Sequence, residues 1–455
     1  MAKKLLGIAA LSALSMIPAN ATVARLQALG MNETDNEGSY YIQDDRNIFL
    51  NVANINNYKD TVILEWGANG SNFGGSSLQT DKDFAPKAKG GIIKSHGNYV
   101  YGAYLGNESN TSALLRGVAT GAYAAASALS ANTAMLYGSD NQIDLFFGGE
   151  ASGLKWAVNG VYTADYRQSD NARDYGYAIR GGVIADKWDA FLNLSVGSKS
   201  NRTSTVSSGG NLATGAAAGQ THTYTFDGKL GLHLGGGYQV TDTQRVYGFA
   251  KKFDWEQYDS IGATSGIGVG ADTGSNPNGR GQVGTSDAGF LTYALGYGGK
   301  YENGKGTLFT NIEYRYKSIE AEFTTKVEAK NVYVPVTVGY EYKATNWLTV
   351  RGSIIQNIWG YRENNNYDKL SFIGSNAAVS EFGADTSGGK VTMVRNSADV
   401  RAGATLTFGN LEVDGLLGLG GTNGTIGSGT PTAIQERGVF DMDRLLARVA
   451  MTYSF

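Results

Sequence analysis

Asn331-Val332-Tyr333-Val334-Pro335-Val336-Thr337-Val338-Gly339-Tyr340-Glu341-Tyr342-Lys343, followed by Ala344-Thr345-Asn346, is the stretch from which the fold follows. Val332, Val334, Val336, Val338, Tyr340 and Tyr342 are apolar, and their partners Asn331, Tyr333, Thr337, Gly339, Glu341 and Lys343 are mostly polar or small. A period of two belongs to a strand whose faces meet two different media. The chain ends in the same way. Leu445, Ala447, Val449, Met451, Tyr453 and Phe455 point to one side, and Arg444, Arg448, Thr452 and Ser454 to the other.

Working outward, about 16 such segments run from one beginning near Thr61 to one beginning near Asp443. Alternation alone fits a half-buried soluble sheet as well as a membrane barrel. The connections separate the two. Every even connection is tight: 96–98, 150–152, 185–187, 241–243, 302–305, 344–346 and 409–410. The odd ones are longer, and several exceed 20 residues. Short turns at one end and long loops at the other predict an all-β fold. It is a transmembrane antiparallel β-barrel of about 16 strands, with periplasmic turns and extracellular loops. Closure also removes the exposed edge that long apolar strands would otherwise present.

Composition agrees. The 455 residues include 64 Gly, 5 Pro, 27 Tyr, 17 Phe, 6 Trp and no Cys, which excludes a disulfide framework and a cysteine metal site. A formal charge of −3 gives no reason to expect a nucleic-acid partner. Pro335 is the one proline inside a strand pattern, so a bulge is expected there. Trp66, Trp156, Trp188, Trp255, Trp347 and Trp359 lie near strand ends and suit interfacial girdles.

The N-terminus divides the chain into three parts. Lys3 and Lys4 precede the apolar run 5–17, Pro18 breaks it, and Ala19-Asn20-Ala21 offers a small-x-small cleavage site. Residues 1–21 therefore read as a signal peptide with Thr22 opening the mature chain, 22–60 as a periplasmic or plug-like segment, and 61–455 as the barrel. The run is too short to span a bilayer as a helix.

Catalytic chemistry is sparse. There are three histidines, no Gly-x-Ser-x-Gly elbow, and no glycine loop followed by a helix, so no catalytic residue, cofactor or metal is expected. His233 with Asp227 or Asp254 imitates an acid–base pair, but a histidine of the lumen wall is the commoner outcome.

Two other features carry function. The connection 107–141 is too apolar for a solvated loop, and Arg116, Tyr123 and Met135 are taken as its constriction residues in the lumen. The alternatives are a cap over the mouth or a subunit contact. The second feature is the inward face. If the apolar positions face lipid, Lys155, Arg180, Lys229, Lys252, Arg315, Arg351, Arg401 and Arg448 face the lumen. So do Glu313, Asp399, Glu412 and Asp414, with Asp227 and Asp254. A barrel of this strand number encloses water, and charges on its wall set ion preference.

The terminal Phe455, with Tyr453, Met451 and Val449 before it, resembles the assembly signal of Gram-negative porins. The resemblance implies recognition of Tyr453 and Phe455 by the barrel assembly machinery. The head of the mature chain, Ala24-Arg25-Leu26-Gln27-Ala28-Leu29-Gly30 and Asp44-Asp45-Arg46-Asn47-Ile48-Phe49-Leu50-Asn51-Val52-Ala53, resembles porin-type major outer-membrane proteins of predatory delta-proteobacteria. It is also similar to the Asp-Asp…Asn-Pro-Ala segment of fatty-acid-transporter-type barrels, with Val52 where those have proline. The expectation is an outer-membrane porin of a Gram-negative bacterium passing ions and small hydrophilic solutes, with outer-membrane lipid around it and a homotrimer allowed. A transporter for hydrophobic compounds plugged by residues 22–58 is the alternative, and a structural or adhesive surface barrel is a third reading.

Overall fold

The computed structural model describes residues 23–31, 37–67, 88–107, 142–167, 172–205, 221–261, 284–322, 326–365, 389–392, 399–419 and 445–455. The first strands are β1 (Thr61–Gly67), β2 (Lys89–His96), β3 (Tyr99–Leu105), β4 (Gln142–Ala151), β5 (Leu154–Arg167), β6 (Ala172–Ile184) and β7 (Trp188–Thr205). Strand β8 comes in two pieces, Thr221–Gly228 and Gly231–Thr241. Then follow β9 (Gln244–Ile261), β10 (Gly284–Asn303), β11 (Gly306–Glu322), β12 (Lys326–Lys343) and β13 (Leu348–Asn365). Strand β14 is again in two pieces, Gly389–Thr392 and Asp399–Phe408, before β15 (Leu411–Leu419) and β16 (Leu445–Ser454).

Each two-piece strand pairs with the same neighbour throughout: both parts of β8 lie between β7 and β9, and both parts of β14 run along β13. The 18 segments are therefore 16 antiparallel strands. β1 pairs with both β2 and β16, so the sheet closes. Gly97, Gly153, Gly304 and Gly409 take left-handed φ at four of the tight turns, as two-residue hairpins require. Among the odd connections, the stretches 168–171 and 323–325 are short.

The outer face is apolar and aromatic. Ile179, Leu192, Leu234, Leu295, Tyr340, Ile354 and Val449 are exposed, and each alternates with inward residues that are buried or partly buried. Trp188, Trp347 and Trp359 lie exposed near strand ends, but Trp255 is wholly buried, correcting its placement in a girdle. It shares the inward parity of Tyr247, Phe249, Lys251 and Phe253 and stacks on Phe253. The Trp66 side chain lies outside the described ones. Pro335 sits at a register shift, where Val334 opposes Trp359 and Pro335 opposes Asn357. The skipped Ile358 makes two consecutive residues, Ile358 and Trp359, face outward.

Helix α1 (Val23–Ala28) and the 3-10 helices η1 (Asp45–Phe49) and η2 (Val52–Asn57) lie inside the barrel. They pack against its inner wall, α1 on β13 to β16 and η2 on β3 to β6.

Candidate functional site

The site is the junction between this N-terminal plug and the wall. In α1, Val-Ala-Arg-Leu-Gln-Ala is built of good helix formers apart from Val23, and every residue of it is buried. Gly30 ends the helix at φ +99°, and a Cβ there would come within 2.4 Å of Thr337 Cγ2 on β12. Only glycine meets both demands. Ala24 and Ala28 pack on Leu416 of β15, while Leu26, Leu29, Met31 and Ile42 cluster with Phe309 of β11. Further on, Asp44 caps η1 by accepting from Arg46 N at 3.0 Å, and Asn51 caps η2 by accepting from Ala53 N at 3.1 Å. The Asn51 amide then donates to the carbonyls of Val183 and Ala190, stitching η2 to β6 and β7. Val52 packs with Ile55, Tyr58, Tyr104 and Phe146, so the residue standing in place of proline serves as a core contact.

Charge locks the junction. Arg25 lies 3.0 Å from Asp44 and 2.9 Å from Glu341 of β12; Arg351 of β13 lies 3.0 Å from Glu341 and 2.9 Å from Asp414 of β15. Arg46 pairs with Glu65 of β1 at 3.3 Å, where Tyr104 also donates and Val23 N donates at 3.0 Å. Arg401 donates to the carbonyls of Gln27 and Met31. Lys251 holds Glu37 at 2.8 Å, and Lys155 donates to Asn57 at 2.6 Å. Burial dominates the acidic pair inside the plug: it pushes the Asp44 carboxyl up despite Arg25, and pushes Asp45 up further, reinforced by Asp44 beside it.

The inward charges read from sequence therefore have other employment. Arg315 pairs with Glu313, to which Tyr247 donates at 2.8 Å; Arg351, Arg401 and Asp414 are buried against the plug and its partners. Glu412 lies partly buried on the inward parity, opposite Thr452. Lys252 is a correction: it alternates with the buried Lys251 and Phe253, is 62% exposed, and pairs with Asp254 on the outer face. Lys229 likewise pairs with the exposed Glu256, away from the lumen. A two-residue gap in β8 upset the parity count at Lys229, and the extra outward charges mark the end of the apolar band. Asp227 bonds Lys199, so neither Asp227 nor Asp254 reaches His233, which meets the Tyr40 hydroxyl at 3.1 Å. The side chains of Asp399 and Arg448, and Arg116, Tyr123 and Met135 entirely, lie outside the described residues. Tyr453 and Phe455 face outward with rings 6.4 Å apart, Lys94 Nζ 4.4 Å above the latter.

Plug and wall leave a cavity of about 140 Å³. Met31, Tyr40 and Tyr41 line it from the plug, and Tyr247, Tyr333, Pro335 and Ile355 from the wall, with Asn311, Glu313 and Arg315 on its polar side. The sequence read the plug as an option but carried no signal for this cavity, because its walls come from strands far apart in the chain.

No protein-family model and no curated protein matches the chain. Solved structures similar to it include the Ralstonia pickettii toluene transporter TbuX, at 10% identity and TM-score 0.38, covering 96% of this chain and 98% of that one. Another is a Pseudomonas aeruginosa FadL homologue, at 11% and 0.40, covering 94% and 98%. The Pseudomonas putida toluene transporter TodX gives 12% and 0.34, covering 96% and 98%. At such identity the function of this chain is decided by its own geometry.

Proposed function

We propose that the chain is a plugged, substrate-selective transporter of the outer membrane of a Gram-negative bacterium, taking small molecules with an apolar body. The observation that carries this is the plug itself. Buried helix α1 stands where an open porin holds water, and Arg351 and Arg401, which would otherwise set ion preference, bind plug and wall instead. The cavity supports the substrate class: its volume is close to the ~150 Å³ that accepts one benzene ring in a dry core. Aromatic and aliphatic walls would hold the ring, and Asn311, Glu313 and Arg315 would orient a polar substituent.

Conductance in planar bilayers tests the reading. The full mature chain gives no large ohmic steps, and deletion of residues 23–58 gives them. Large steps from the full chain would restore the open porin.

A further inference from the structure

A row of polar residues on the wall is only partly engaged by the plug. Asn159 of β5, Arg180 of β6, Asn193 of β7, His233 of β8, Lys251 of β9, Thr292 of β10, Lys317 of β11 and Asn331 of β12 oppose one another in unbroken cross-strand register. All eight are buried, none more than 5% exposed, and none is a carboxylate. At ~4.8 Å between strands the row is about 34 Å long. It is also inclined. Asn159 is five residues from the short-turn end of β5, whereas Asn331 is twelve from that end of β12. Rows perpendicular to tilted strands climb in this way.

The upper end adjoins the cavity. Lys317 and Asn331 are the next inward positions above Arg315 and Tyr333, and Lys317 Nζ lies 5.9 Å from the Tyr333 ring centroid. At the lower end Arg180 Nη1 is held by Asp144 of β4 at 2.6 Å and by Asn159 at 2.8 Å, while its Nε and Nη2, Oδ1 of Asn193 and Nδ1 of His233 are buried with no partner among the described residues. The Nε–Nη2 edge of a guanidinium is the edge that grips an oxyanion through two bonds. Leaving a buried polar group unsatisfied is costly, so such a group marks a place where another partner belongs.

The plug supplies substitutes elsewhere along the row. Glu37 accepts from Lys251 at 2.8 Å, the Tyr40 hydroxyl meets His233, and the Leu50 carbonyl accepts from Asn193 at 3.2 Å.

We infer that this row is a ramp for an organic anion, leading from the cavity toward the periplasm, and that Glu37 is the plug's internal stand-in for that anion. The inference rests on the plugged-transporter reading and narrows its substrate to a small apolar body bearing an acidic group. A carboxylate or sulfonate arriving over Tyr333 meets Lys317, then competes with Glu37 for Lys251, and loosens one anchor of the plug as it advances. The cations Arg180, Lys251 and Lys317, two or three register steps apart, replace hydration that the anion gives up.

Two permanently charged ring compounds test it in proteoliposomes: benzenesulfonate and benzyltrimethylammonium. The wild-type chain takes up benzenesulfonate at least tenfold faster. Lys251→Gln with Lys317→Gln removes most of that difference, Lys251→Arg with Lys317→Arg restores it, and Glu37→Gln raises anion uptake severalfold. Heat-modifiable mobility identifies variants with an intact barrel. Equal uptake of both probes, uptake of neither, or anion uptake indifferent to the lysine pair in folded barrels overturns the ramp. The plugged-transporter reading fails on a different result, large ohmic steps from the full chain.

Discussion

Arg25 and Glu341, 316 residues apart, form a two-pronged ion pair: Arg25 Nε donates to Oε2 at 2.9 Å and Nη2 to Oε1 at 3.2 Å. Glu341 also carries Arg351, so one wall carboxylate joins the plug to a second wall cation.

Glu341→Gln leaves two buried guanidinium groups short of a counter-charge. Breaking such a pair costs about 3 kcal/mol, roughly a hundredfold in the docking equilibrium. The expected outcome is a folded barrel with frequent open steps in planar bilayers and faster tryptic cleavage after Arg25 and Arg46. Unchanged conductance would mean that packing alone holds the plug.

Docking also depends on pH. Burial raises the Asp44 and Asp45 carboxyls, so the docked plug binds more protons than the released one. Their contribution to docking is fully present below the ordinary carboxylate range of ~4 and is lost as pH rises through the raised values. Open probability should climb over that interval, and Asp45→Asn should flatten the climb. A slope of opposite sign would contradict the burial argument.

Gly30→Ala combines a left-handed backbone with an overlap against Thr337 Cγ2 at 2.4 Å. The combined penalty is about 2 kcal/mol or more. Barrel yield and heat-modifiable mobility should stay normal while the plug opens. If the barrel itself fails, the plug is needed for folding as well as closure.

Phe455 is half exposed, its N–H donating to the Asp60 carbonyl at 3.0 Å and its ring under Lys94. Few contacts in the folded barrel depend on it, so deleting it should impair insertion far more than thermal stability. Comparing outer-membrane yield in cells with refolding yield in detergent separates the two. A loss in both alike would make Phe455 a structural residue.

Much of the barrel was legible in the chain. Alternation as in Val332 to Tyr342 sets which residues face lipid, and tight turns such as Gly409-Asn410 set which strands are neighbours, because both signals are local. The bulge at Pro335 was legible for the same reason: proline lacks a ladder donor. Lys252 and Trp255 were misassigned because beyond Lys251 the outward positions 252, 254 and 256 of β9 are charged while the inward Phe253 and Trp255 are aromatic, so polarity no longer tells the faces apart.

The sequence by itself determined a closed sheet of about 16 strands with arginines on its inner positions, since periodicity and loop length are carried by residues close in the chain. Only the tertiary structure decided what those arginines face. Asp44, Glu341 and Gln27 reach Arg25, Arg351 and Arg401 across strands and across the lumen, and nothing local in the sequence encodes those distances. The same holds for the row from Asn159 to Asn331. Its eight members are scattered over 173 positions and become neighbours only through the register of eight strands. Packing residues 23–31 and 37–58 against the inner wall converts an apparent water-lined wall into a buried interface, where each charge must find a partner.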